Sequence, residues 1–278
     1  MRLRLWHASD GARVAYREAG SGPPLVLLHS LGFSHRELEP IVEHLDFRYK
    51  VVLPDLPLHG DSEDRPRHPY TRDWFADLLA GFLREVAGPR PLVGGHGFGA
   101  ELLVHAALTG RIAPEKLVLM PNRLHRAPTR PLARSLWRRG ARAGAIPGLD
   151  RLVSHAAHLA VRPDAGVRLS ARGNPAAGDL VRHAFADVAG NANLARSWAR
   201  YARANPSGAD RELLEGYARL EMPVLLLWAD ADRHHPVDAA EEALDLLPNG
   251  VLRVLPDTGF LMAYDDPIGV AREIAAFA

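Results

Sequence analysis

The chain has 278 residues, 47% of them apolar and 24% charged, with a formal net charge of +1. That is enough for one α/β domain with a large core, and neither disorder nor nucleic-acid binding is indicated. Cysteine is absent, which excludes disulfides, thiolate metal sites and a cysteine nucleophile. No apolar stretch approaches a bilayer span, and the opening MRLRLWHASDGARVAY has no apolar leader core, so a cytoplasmic protein without membrane contact is expected.

Branched apolar runs bounded by Gly, Pro or Asp predict strands at Leu3–Trp6, Arg13–Arg17, Leu25–His29, Val51–Pro54, Leu92–Gly95, Leu117–Met120, Val224–Trp228 and Val251–Leu255. Asp10-Gly11 predicts a tight hairpin between the first two. Segments of helical period fall between the later strands at Glu37–Leu45, Arg72–Val86, Phe98–Thr109, Val237–Leu247 and Pro267–Phe277. This βαβ alternation implies a mostly parallel eight-stranded sheet with helices on both faces. Residues 121–220 interrupt it with helical runs alone, at Pro131–Ala143, Leu149–Ala160, Gly178–Val188 and Ala192–Ala204. They read as a helical cap inserted into a core made of residues 1–120 and 221–278.

Charge is unevenly spread. Residues 121–220 hold 17 arginines, no lysine and 7 acidic residues, a net of +10 that leaves −9 for the rest. Such a cap suits an anionic substrate, a CoA-like group or an acidic acyl carrier, although arginine on solvated helices gives the same count. No metal-ligand spacing or cofactor motif accompanies it, and neither is expected; oligomeric state is not readable.

Pro91-Leu-Val-Gly-Gly-His-Gly-Phe-Gly-Ala100 reads as strand, sharp glycine turn and helix start. This is the frame of a nucleophile elbow, with Gly97 where the attacking side chain belongs. Four further motifs follow in order: His29-Ser30-Leu31-Gly32 after the third strand, Asp55-Leu-Pro-Leu-His-Gly-Asp-Ser62 after the fourth, Trp228-Ala-Asp-Ala-Asp232 after the seventh, and Pro256-Asp-Thr-Gly-Phe260 running to Pro267 after the last. In this set the chain resembles the α/β-hydrolase superfamily along nearly its whole length. The resemblance implies the α/β-hydrolase fold with a cap, Asp232 as the triad acid, and oxyanion donors on the N–H groups of Leu31 and Phe98. It also places Phe260 in the histidine position, so Ser-His chemistry lacks both its nucleophile and its base. An aspartate nucleophile is excluded for the same reason.

Replacement chemistry is expected from Asp232 as a base of raised pKa or as a salt-bridge partner of a cap arginine, and from His96, beside the vacant position. His234 or His235 offers a base that Asp232 orients, with at most one facing the site. Gly97 and Phe260 are expected to give an enlarged floor and an apolar wall. His35, Asn122 and His125, after strands at the ligand end of the sheet, and Tyr264 in the last loop are candidate ligand contacts. Trp137, Trp198 and Tyr201 in the cap read as packing anchors or as substrate stackers. Three functions fit: a non-hydrolytic enzyme cyclising, isomerising or eliminating within a carbonyl-bearing small molecule; a silent ligand-binding or regulatory protein; and a hydrolase with a relocated base.

Overall fold

The hairpin at Asp10-Gly11 forms as its residues dictate. Gly11 takes φ +81°, the Ala8 N–H donates to Ala12 O at 2.8 Å, and β1 (Arg2–His7) turns back antiparallel into β2 (Arg13–Ala19). The computed structural model describes residues 1–126, 131–143, 145–146, 148–157, 164, 166–186, 191–205 and 209–278. The further strands are β3 (Pro24–Leu28), β4 (Lys50–Pro54), β5 (Leu92–Gly95), β6 (Lys116–Leu119), β7 (Val224–Ala229) and β8 (Gly250–Leu255). They complete one eight-stranded sheet in the order β1-β2-β4-β3-β5-β6-β7-β8, parallel from β4 onward. All eight expected strands are present, shifted by at most two residues at an end.

The parallel strands are buried on both faces, as a sheet covered by crossover helices requires. One face packs on α1 (Arg72–Val86) and α2 (Phe98–Leu108), where Phe75, Leu79, Phe82 and Leu83 form the inward stripe of α1. The Thr71 side chain accepts the Trp74 N–H at 3.1 Å and caps α1. On the other face lies α10 (Pro267–Phe277), which opens with proline at its first position and Asp266 capping the Gly269 N–H. The helix expected at Glu37–Leu45 is instead two 3-10 turns, His35–Glu37 and Glu39–His44. Pro40 has no N–H with which to continue a ladder begun at Glu37, so the chain starts a new turn at Glu39 with the proline in its first turn.

Between β6 and β7 the described residues contain helices and no strand: α3 (Pro131–Ala143), α4 (Leu149–Ala157), α5 (Pro175–Ala186), α6 (Ala192–Ala204) and α7 (Arg211–Glu215). The expected ends of α4 at Ala160 and of α5 at Val188 lie outside the described residues. Helix α5 starts three residues before Gly178 because Asn174 and Pro175 make a cap and first turn. Helix α7 and the turn Gly216–Arg219 return to contact α2. Helix α6 is tied to the loop before α1: Ser197 Oγ donates to Asp64 O at 2.5 Å and Asn205 Nδ2 to Tyr70 O at 2.7 Å. Beyond β7, α8 (Val237–Leu244) precedes β8, and α9 (Met262–Asp265) precedes α10.

Candidate functional site

The β5–α2 turn holds Gly97 at φ +51°, ψ −117°, with its N–H donated to Pro121 O at 3.0 Å. Such a backbone is strained for any residue with a side chain, and it is where a nucleophile elbow keeps its strain. Gly99 admits no Cβ either, since one would lie 2.6 Å from Leu28 Cβ, and α2 thereby packs tightly on β3.

The enlarged floor expected at Gly97 is not found. A Cβ there would stand 2.5 Å from Ser30 Cβ and 3.7 Å from Phe260 Cζ. The Cβ of Ser30, in the loop after β3, occupies the space. The Ser30 hydroxyl turns away to donate to Glu37 Oε1 at 2.5 Å, and its N–H reaches Oε2 at 2.6 Å. Glu37 also accepts His96 Nδ1–H at 2.9 Å. Burial pushes the Glu37 carboxyl up, but the His96 charge and these hydrogen bonds outweigh it and hold the group below its ordinary value. Ser30 and Glu37 were absent from the sequence-derived candidates.

His96 and His235 flank Phe260. The Phe260 ring centroid lies 4.2 Å from that of His96 and 5.2 Å from that of His235, with interplanar angles of 31° and 28°. His96 Nε2 is buried without a partner among the described residues. His235 is different: its side chain is 13% exposed, and its Nδ1–H donates to Asp232 Oδ2 at 2.8 Å. The His235 carbonyl accepts from Trp228 Nε1 at 2.8 Å, which fixes the loop that presents the ring. His234 contributes its backbone N–H to Asp232 Oδ1 at 2.8 Å. One of the two adjacent histidines therefore pairs its ring with Asp232.

Asp232 itself departs from both expectations. It pairs with His235 rather than with a cap arginine, and its carboxyl is held below its ordinary value, not above it. Burial pushes it up, while the His235 hydrogen bond and charge and the His234 N–H prevail. Its carboxylate fixes the His235 ring through Nδ1.

Among the described residues no acceptor takes the N–H of Leu31 or Phe98, and both residues are partly exposed. His59 supports the first loop, accepting the Gly32 N–H on Nε2 at 2.9 Å and donating from Nδ1 to Pro57 O at 3.0 Å.

Other candidates are engaged elsewhere. His35 is buried, its N–H and Nδ1–H both donated to Asp55 Oδ1 at 2.7 and 2.9 Å. Asn122 closes its own turn through Met120 O and the Leu124 N–H. His125 is buried edge-on to Tyr217, with φ +58° and neither ring nitrogen partnered among the described residues. The Tyr264 hydroxyl donates to Arg36 O at 2.8 Å. Trp198 and Tyr201 pack against His59, Phe75 and Phe98, whereas the Trp137 side chain lies outside the described ones. No group of three or more His, Asp or Glu gathers to hold a metal among the described residues.

Fold and elbow together define a class, and comparison agrees. The sequence profile of the Alpha/beta hydrolase family matches residues 25–273, and the chain belongs to that family. It is 24% identical to the uncharacterized hydrolase YugF of Bacillus subtilis over 277 residues, covering 96% of this chain and 95% of that protein. It is 23% identical to a pimeloyl-[acyl-carrier protein] methyl ester esterase of Vibrio vulnificus, covering 95% and 97%. Among solved structures, an esterase from Thermogutta terrifontis superposes with a TM-score of 0.75 at 22% identity, over 99% of this chain and 97% of that one. The epoxide hydrolase CorEH gives 0.75 at 21%, over 99% and 98%. At such identities the structures share the fold.

Proposed function

We propose that the chain is an enzyme that moves a proton on a carbonyl-bearing small molecule, with no covalent intermediate at residue 97. The observation that carries this reading is the Asp232–His235 pair. Asp232 holds the imidazole through Nδ1, which leaves Nε2 to accept a proton. Taken from carbon next to the carbonyl, that proton leaves its electron pair to the substrate. The resulting oxyanion is received by the Leu31 and Phe98 N–H groups, the second at the start of α2 where the helix dipole favours negative charge. Cyclisation, isomerisation and elimination all proceed through such an anion. The basic cap favours an anionic substrate or one borne by an acidic carrier.

Hydrolysis is the second reading, favoured by the names of the relatives, a hydrolase and an esterase. In it His235 takes the proton from water instead of carbon. Mass spectrometry of a panel of ketones, esters and enolisable acids, with wild type and His235→Gln, separates the two. A product isomeric with its precursor, or lacking an eliminated group, is expected, with turnover lowered about 10²–10⁴-fold in the variant. Gain of one water would transfer the assignment to hydrolysis. Turnover unchanged in His235→Gln would sink both.

A further inference from the structure

The outer face of the cap carries apolar side chains that the fold does not use. Of the twelve large apolar residues exposed among the described ones, five fall between residues 132 and 152: Leu132, Leu136, Ile146, Leu149 and Leu152. Leu132 is 80% exposed, Leu136 66% and Leu152 64%, which is far beyond a rim residue's share. Isolated exposed leucines need no explanation; a concentration on one pair of helices does.

Their direction follows from the ion pairs and hydrogen bonds that pin these helices inward. The guanidinium of the buried Arg138 on α3 donates to Ala202 O and Asn205 O at the end of α6. At about 100° per residue, Leu136 and Leu132 lie roughly 200° and 240° round the helix from Arg138, on the side away from α6. On α4, the buried Asp150 pairs with Arg196 of α6 at 3.2 Å, and Leu152 lies about 200° from it. Both helices thus hold α6 with a polar side chain and turn leucines outward. Arg139, Arg142 and Arg151 are exposed on the same two helices. Helix α3 holds four arginines and no acidic residue.

From this we infer that the α3–α4 face docks on an anionic lipid surface. Short helices with leucine on one side, arginine beside it and low overall hydrophobicity lie in the plane of a bilayer interface, where leucine enters the headgroup boundary and arginine meets lipid phosphate. The net +10 of the cap supplies the complementary charge, and no helix of the described residues is long and apolar enough to span a membrane, so attachment is peripheral.

Co-sedimentation with vesicles tests it. The full chain is expected to pellet with vesicles of phosphatidylcholine and phosphatidylglycerol, and about tenfold less with phosphatidylcholine alone. Leu132→Ser/Leu136→Ser and, separately, Arg139→Glu/Arg142→Glu should each abolish pelleting, while thermal unfolding stays unchanged because these side chains are exposed. Absence of wild-type pelleting overturns the inference, as does pelleting that both variants retain. A concentration-dependent dimer without lipid, lost in the leucine variant, would identify the occupant as a second copy and also overturn it.

Discussion

A serine placed at residue 97 would meet Ser30, not an empty slot, and this shapes the simplest experiment on the site. Gly97→Ser is expected to lower stability by about 1–3 kcal/mol, since its Cβ would lie 2.5 Å from Ser30 Cβ at a strained φ. Adding Ser30→Gly removes the contact, so urea titrations of the two single variants and the double variant should show a coupling of roughly 1–2 kcal/mol. Additive effects would mean that the two loops do not share this space. Neither variant should gain ordinary serine-hydrolase turnover, because the side chain that faces residue 97 besides Ser30 is Phe260, which accepts no proton.

At the scale of elements, one carboxylate gathers the contacts between residues 169–174 and the loop after β8. Asp265, at the end of α9, accepts from the Ser170 hydroxyl, from the N–H groups of Ala171 and Gly259 at 2.8 Å each, and from the Arg172 N–H. Leu261 N–H to Leu169 O at 3.1 Å and Asn174 Nδ2 to Tyr264 O at 2.7 Å complete the strap. Ala177 and Leu180 of α5 pack on Leu261 beside Phe260 and Tyr264, so this strap holds the cap over the loop that carries Phe260. Asp265→Ala leaves several buried donors without an acceptor and is expected to cost about 2–4 kcal/mol. Hydrogen exchange should rise selectively in residues 167–175; a uniform rise over the whole chain would contradict a local strap.

For the molecule as a whole, buried imidazoles set the response to acid. Burial pulls His125 down to about 4 and His59 to about 3, so both are neutral in the folded state near neutrality. The unfolded chain binds protons at these residues below about pH 6.5 and the folded chain does not, so stability rises with pH across this range. It is fully present above about 6.5 and lost on acidification, for His125 down to about pH 4 and for His59 to about 3. Protonation of Glu37, Asp55 and Asp232, all held below their ordinary values, removes stability in the same direction at lower pH. Urea unfolding at pH 7 and pH 5 should show a marked loss at pH 5. His125→Asn, which tolerates the positive φ, should reduce the slope by an amount on the order of 1–2 kcal/mol between these pH values. A slope unchanged in this variant would place the acid sensitivity elsewhere.

The eight strands, the helical stretch between β6 and β7 and the glycine turn after β5 were legible in the sequence, because hydrophobic period and glycine turns are local properties of the chain. The pairing of Asp232 with His235 rather than His234 was not, since adjacent loop residues differ only in where the fold points them. Nor was the filling of the Gly97 space by Ser30, which is 67 positions away and meets it only because β3 and β5 are neighbours in the sheet. The burial of His35 and the turn formed by Asn122 likewise depend on partners that no spacing announces. The sequence by itself determined the frame of strands, turns and helices. Which side chains fill the space beside Gly97 and which ring pairs with Asp232 was decided by contacts that exist only once the fold has brought the loops together.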